Sequence, residues 1–298
     1  MLHININGST KLVILIGDPV SHSLSPRMHT AAFQKIGFNA IYLACRVKKD
    51  NLKEAINSIK ALEIVGANIT IPHKVETIKY IDKIDPIAKE IGAINTIINR
   101  NGILYAVNTD GIGAIRSLKE AGIELKGCNV LILGSGGASR AISFHLLNEI
   151  NHLFITNIRE KSLSKLTTDL EKKHAGKITK FLYNKDKLKE YLKKCDLLIN
   201  CTPVGMYPNI HESMVPEEFL REDLPVFDII YNPIETKLLK DAKKVGARII
   251  YGYKMLLYQG VEGFELWTGK KAPVELMEKI LIDELLKNDN NNINNKKG

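Results

Sequence analysis

The stretch 129–147 constrains the fold more than any other. Residues 129–133 read as a buried strand. Gly134-Ser135-Gly136-Gly137-Ala138-Ser139-Arg140 follows, and a helix-forming run continues to Leu147. A strand, a glycine-rich turn and a helix, in that order, form a dinucleotide-binding unit. Gly134 permits the tight turn, and Gly136 lets backbone approach a pyrophosphate. The helix start offers unpaired N–H groups and the positive end of its dipole to the phosphates. Ser139 stands where a third glycine is usual, so the motif is a variant of G-x-G-x-x-G.

The same β-then-α rhythm surrounds the turn. Strand-like runs at 129–133, 153–156, 177–182, 197–200, 226–230 and 247–250 are mostly separated by amphipathic segments. That alternation predicts a parallel, doubly wound sheet with helices on both faces. The first third also alternates. Strands are expected at 11–16, 40–45 and 65–71, with helices over 52–62 and from about His73. Another helix should open with Ser25 as N-cap and Pro26 at N1, and close at Gly37. Asn101-Gly102, between apolar runs, predicts a hairpin with a type I′ turn.

A helix over 110–121 carries the chain onward, and after Tyr251 the pattern is purely helical, at 253–267 and 273–286. The expected architecture is α/β in two domains with a cleft between them. An N-terminal α/β substrate domain, 1–109, is completed by helices within 253–287. A Rossmann-type doubly wound domain occupies 110–252. Residues 288–298, rich in asparagine and lysine, are expected to form a disordered tail.

Bulk properties narrow the function. The chain's 298 residues suit two domains. The net charge of +9 is spread along the chain, which fits a solvated basic surface and anionic small molecules. No basic stripe with interleaved aromatics suggests nucleic acid. No apolar run reaches the roughly 20 residues that span a bilayer, and residues 5–10 are polar where a signal peptide would be apolar. A cytoplasmic location without membrane attachment is expected. Cys45, Cys128, Cys195 and Cys201 form no C-x-x-C pair and no zinc-ligand spacing, so free thiols and no metal are expected.

The end of the second strand of the doubly wound domain discriminates between nicotinamide cofactors. A carboxylate there suits the ribose 2′-hydroxyl of NAD, and a basic residue suits the 2′-phosphate of NADP. The run Asn157-Ile158-Arg159-Glu160-Lys161 offers a neutral side chain and two basic ones, which favours NADP, with NAD as the alternative.

Three further stretches carry chemistry. Ser21-His22-Ser23-Leu24-Ser25-Pro26 puts hydroxyls ahead of a helix. Asn68-Ile69-Thr70-Ile71-Pro72-His73-Lys74 puts Asn68 and Thr70 on one strand face with Lys74 just beyond. Asn108-Thr109-Asp110-Gly111 ends a strand and starts a helix. Each has a plain structural reading, with Ser25 or Asp110 as a helix cap and His22, His29 and His73, tempting as acid–base groups, as satisfied structural histidines.

Read with Gly92-Ala93-Ile94-Asn95-Thr96, Asn200-Cys201-Thr202-Pro203-Val204-Gly205-Met206 and the run from Tyr251 to Gly260, these motifs resemble, in order and over nearly the whole chain, the shikimate dehydrogenase family, which includes quinate-using members. The resemblance implies reversible NADP-dependent reduction of 3-dehydroshikimate to shikimate, by a monomer or homodimer. It implies that Ser23, Ser25 and Tyr231 hold the substrate carboxylate. Asn68, Thr70, Asn95, Asp110 and Gln259 would hydrogen-bond the ring hydroxyls, and Lys74 and Asp110 would form the catalytic pair. Gly134, Ser135, Gly136, Gly137, Ala138 and Ser139 would hold the pyrophosphate, Asn157 and Arg159 the adenine ribose, and Met206, Gly252 and Met255 the nicotinamide. In the family N-R-T is frequent where this chain has Asn157-Ile158-Arg159, so the arginine is displaced by one position. The chemistry requires a base for the alcohol proton. Lys74 suits that role if burial lowers its pKa, and Asp110 could orient it. Competing readings are a quinate-preferring or NAD-using enzyme of the same family, a non-catalytic ligand sensor and a nucleic-acid-binding protein.

Overall fold

The computed structural model of the chain describes residues 6–294, with side chains from 6 to 287. The chain divides into two compact units, Met1–Thr109 with Gln259–Glu284, and Asp110–Tyr258 with Leu285–Gly298. One boundary falls between Thr109 and Asp110, and another falls inside a helix, between Tyr258 and Gln259.

The first unit is built from β1 (Lys11–Gly17), α1 (Ser25–Lys35), β2 (Ala40–Arg46), α2 (Leu52–Ala61), β3 (Gly66–Ile69), β4 (Lys83–Ile84), α3 (Pro86–Ile91), β5 (Thr96–Arg100) and β6 (Ile103–Val107). Their sheet order is β2-β1-β3-β5-β6-β4. Strands β1, β2 and β3 run parallel, whereas β5 is antiparallel to both β3 and β6. The unbroken apolar run Val13–Ile16 is buried, as a parallel strand covered on both faces should be. One face packs Ile14, Ile16, Ala67 and Ile69 against Leu52, Ile56 and Ile59 of α2. Asn101 and Gly102 both have positive φ, +52° and +83°, as the type I′ turn requires.

Then come α4 (Thr109–Glu120), β7 (Asn129–Leu133), α5 (Gly137–Leu146), β8 (His152–Asn157), α6 (Glu160–His174), β9 (Ile178–Leu182), α7 (Lys185–Leu192), β10 (Leu197–Asn200), β11 (Val226–Asp228), α8 (Lys237–Lys244), β12 (Ile249–Tyr251), α9 (Gly252–Thr268) and α10 (Val274–Asn294). The second sheet is parallel throughout, in the order β12-β11-β10-β7-β8-β9. That is the doubly wound order, and its switch point lies between β7 and β10, where the chain leaves the sheet in opposite directions.

Three local expectations are corrected. Ser25 is not an N-cap: Leu24 occupies that position in helical conformation with no side-chain cap bond, and α1 starts at Ser25. The helix expected from His73 is instead a short 3-10 turn, Glu76–Tyr80. His73 is held out of a longer helix, because its N–H donates to the Thr70 oxygen at 2.9 Å and its ring bonds the Val47 oxygen at 2.7 Å. Finally, α10 continues to Asn294, through the first residues of the expected tail. Leu281 and Leu285 are buried in it, and lengthening an existing helix incurs no new nucleation cost. Residues 295–298 of that tail lie outside the described residues.

Gln259–Glu284 groups with the first unit. There Trp267 donates its indole N–H to the Ile97 oxygen at 2.9 Å, and Phe264 stacks on Phe33 at 5.1 Å. The preceding turns of α9 group with the second unit, where Lys254 pairs with Glu120 at 3.0 Å and Arg116 lies over the Tyr258 ring.

Candidate active site

In the first unit the residues singled out from sequence converge on the ends of β3 and β5. Ser25 opens α1 and is buried, and its N–H donates to Ser23 Oγ at 3.3 Å. Its hydroxyl does not cap α1 and lies against the Tyr42 phenol. Asn68 is buried on β3. Its amide nitrogen donates to the Asn95 oxygen at 3.1 Å and to Thr96 Oγ1 at 3.0 Å. Asn95 is buried and held on several sides. Its Oδ1 accepts from the Thr109 N–H at 2.8 Å and from Thr96 Oγ1 at 3.0 Å, and its Nδ2 donates to Thr109 Oγ1 at 3.0 Å. Thr109 Oγ1 in turn donates to the Gln259 main-chain oxygen at 3.1 Å, so Gln259, itself buried, is fixed at the same place. Thr96 and Thr109 are fully buried parts of this network that sequence reading passed over, because a threonine opening a strand or a helix carries no separate signal.

Lys74 is half-buried, just beyond β3. The Ile94 N–H donates to its main-chain oxygen at 2.9 Å, which ties the lysine backbone to the segment holding Asn95. Thr70 is half-buried, and its N–H bonds the Ile16 oxygen at 2.9 Å. His22 is exposed, whereas His29 and His73 are core residues.

In the second unit the glycine turn has the form a dinucleotide needs. Gly134 has φ +98°, and a Cβ there would press on the Cys201 main-chain oxygen at 3.1 Å, so glycine is required where β7 and β10 part. A Cβ on Gly136 or Gly137 would meet nothing within 4 Å, which leaves open space over the start of α5. Ser139 explains its place in the variant motif: it is fully buried, and its hydroxyl donates to the Gly134 oxygen at 2.8 Å, bracing the turn from within. At the end of β8, Asn157 Nδ2 bonds Ser135 Oγ at 2.6 Å and Ser162 Oγ at 2.8 Å. Arg159 is exposed beside this polar cluster, and Ile158 is 70% exposed.

The 200–206 loop is held from below by Asp228, a buried carboxylate at the end of β11. It accepts from Asn200 Nδ2 at 3.0 Å, the Ile230 N–H at 3.1 Å and Thr236 Oγ1 at 2.7 Å. Burial pushes its pKa up to about 6 against those three bonds. Asn200 Oδ1 then accepts from the N–H and hydroxyl of Thr202. Met206 and Tyr231 are exposed, whereas Gly252 and Met255 are buried at the start of α9. Asp110 is half-buried in the first turn of α4. Cys195 is buried and the other three free thiols are half-buried.

A mixed α/β unit carrying a hydroxyl- and amide-rich cluster, with a doubly wound unit carrying a phosphate-binding turn at its switch point, defines a nucleotide-dependent α/β oxidoreductase. Comparison with known proteins gives the particular family. A model of the shikimate dehydrogenase substrate binding domain matches residues 15–97, and one of the shikimate 5'-dehydrogenase C-terminal domain matches 252–282. The NADP(+) shikimate dehydrogenase of Methanobrevibacter smithii is 49% identical over 93% of this chain and 98% of its own. A crystal structure of a shikimate dehydrogenase in complex with NADP+ superposes with a TM-score of 0.89 at 44% identity, covering 96% of this chain and 99% of that one. Another, from Listeria monocytogenes in complex with shikimate and NAD, gives 0.89 at 36% identity, covering 93% and 98%. The chain belongs to the shikimate dehydrogenase family.

Proposed function

We propose that this protein is an NADP-dependent shikimate dehydrogenase that reversibly reduces 3-dehydroshikimate to shikimate in the cytoplasm, on the route to chorismate and the aromatic amino acids. The observation that carries the reading is the joint presence of a braced glycine turn, Gly134–Ser139, and a preorganised polar cluster around Ser25, Asn68 and Gln259, in a chain 49% identical to a protein of that name. Among the described residues no helix is long and apolar enough to cross a membrane.

The turn and the start of α5 hold the pyrophosphate. Asn157 and Arg159 take the adenine ribose and its 2′-phosphate, and Met206, Gly252 and Met255 form the nicotinamide pocket. When bound, the cofactor supplies the hydride acceptor or donor. Everything else falls to this chain's own groups. Ser23, Ser25 and Tyr231 bind the carboxylate through hydroxyls. Asn68, Thr70, Asn95 and Gln259 orient the ring. In the oxidation direction Lys74 Nζ takes the proton of the reacting hydroxyl, and in reduction it returns it. The Asp110 carboxylate accepts a hydrogen bond from the same hydroxyl and orients the lysine.

The test is a spectrophotometric assay at 340 nm with shikimate and quinate, each with NADP and with NAD. Rapid reduction with shikimate and NADP, and slower reduction in the other pairings, supports the reading. Absence of turnover with shikimate, despite binding, would assign the chain to a ligand-sensing role.

A further inference from the structure

Tyr42 belongs to none of the motifs that carry the functional reading, yet it stands behind two of its residues. It lies on β2, 1% exposed, with its phenol oxygen 2.7 Å from Asn68 Oδ1. The direction of that bond follows by elimination. Asn68 Nδ2 faces the Asn95 main-chain oxygen, which can only accept, so the amide cannot be turned end for end. The other amide proton goes to Thr96 Oγ1, and Thr96 passes its own proton to Asn95 Oδ1. Both protons of Asn68 are thus spent on protein, the phenol is the donor to Oδ1, and one lone pair of that oxygen is left. Burial pushes the Tyr42 phenol's pKa up, so it keeps the proton it donates, and the Ser25 hydroxyl hydrogen-bonded to the same phenol opposes that shift only in part. The phenol oxygen is therefore placed between Ser25 and Asn68, the residues assigned to the carboxylate and to a ring hydroxyl. The Tyr42 ring cannot swing away, because His29 stacks on it at 4.8 Å and Trp267 lies 6.1 Å from it.

We propose that Tyr42 is a positioning residue of the substrate half-site, which fixes Asn68 as a pure acceptor for a substrate hydroxyl and links that acceptor to Ser25. The proposal rests on the reading that Ser25 and Asn68 hold substrate. It adds a specificity. At the ring position that Asn68 meets, a hydroxyl is accepted, whereas a carbonyl would set two acceptors face to face and leave both unpaired.

Tyr42→Phe keeps the ring and its stacking and removes only the oxygen. In a variant whose melting temperature shows it folded, KM for shikimate should rise about tenfold or more, with KM for NADP unchanged and kcat within about threefold. Asn68→Ala should cost less shikimate affinity in the Tyr42→Phe background than in the wild type. An unchanged shikimate KM, or costs that simply add, would overturn the proposal. A second measurement needs no variant. Among shikimate analogues altered at one non-reacting hydroxyl, the oxo compound at the Asn68 position should bind more weakly than the deoxy compound, and oxo binding equal to deoxy binding at every position would also overturn it. The underlying reading fails separately, if Ser25→Ala and Asn68→Ala each leave the shikimate KM unchanged.

Discussion

His29 on α1 is wholly buried among Tyr42, Phe264 and Trp267, with both ring nitrogens lacking a hydrogen-bond partner. Burial pushes its pKa down from 6.5 to about 3. The unfolded chain therefore binds a proton that the folded chain refuses between those values. Its stability contribution is complete above about pH 6.5 and is lost as pH falls. Between pH 7 and 5 this one group should cost about 2 kcal/mol. His29→Phe keeps an aromatic ring and should lose correspondingly less stability over that interval in denaturant titrations; equal losses would show that other groups dominate. At the cofactor end, Ile158 puts an apolar side chain in solvent beside Asn157 and Arg159. Ile158→Arg should raise the preference for NADP over NAD about tenfold, read as the ratio of kcat/KM values, because a guanidinium can meet a 2′-phosphate with two charged bonds. Candidate residues stood out unevenly in the sequence. Lys74 and Asp110 stood out through their motifs. The Ser25 hydroxyl was open to reading as a cap, because Pro26 follows it and only the backbone angles of Leu24 show that the helix has already begun. Tyr42 was invisible, because a tyrosine in an apolar strand looks the same whether its hydroxyl meets solvent or a neighbouring amide.

Among the elements, β3 shows what tight packing demands. A Cβ on Gly66 would fall 2.3 Å from Trp267 Nε1 and 2.4 Å from the Ile97 oxygen, the two atoms joined in the bond between α9 and β5. Gly66→Ala should destabilise the protein by about 3 kcal/mol, at the upper end of overpacking costs, visible as a lower urea midpoint. An unshifted midpoint would mean that α9 can retreat without penalty. Strands and long helices were readable because burial imposes unbroken or periodic apolar runs, and β7 and β10 begin and end where the pattern places them. Elements fixed by single bonds were not. The 3-10 turn after His73 depends on a ring hydrogen bond to Val47, and β4 has only two residues, too few for any period.

For the whole molecule, the presence of two units was legible because each announces itself, one by a glycine turn between strand and helix and the other by hydroxyl and amide motifs near strand ends. Where α9 passes from one unit to the other was not, since its apolar pattern is continuous across Tyr258 and Gln259. The functional account makes Lys74 the group that moves the proton while the units supply substrate and cofactor binding. Its most direct test is the turnover of Lys74→Ala, measured with shikimate and NADP alongside the dissociation constant for NADP. The account predicts a kcat at least about a hundredfold lower with NADP binding unchanged. Turnover near that of the wild type would contradict it.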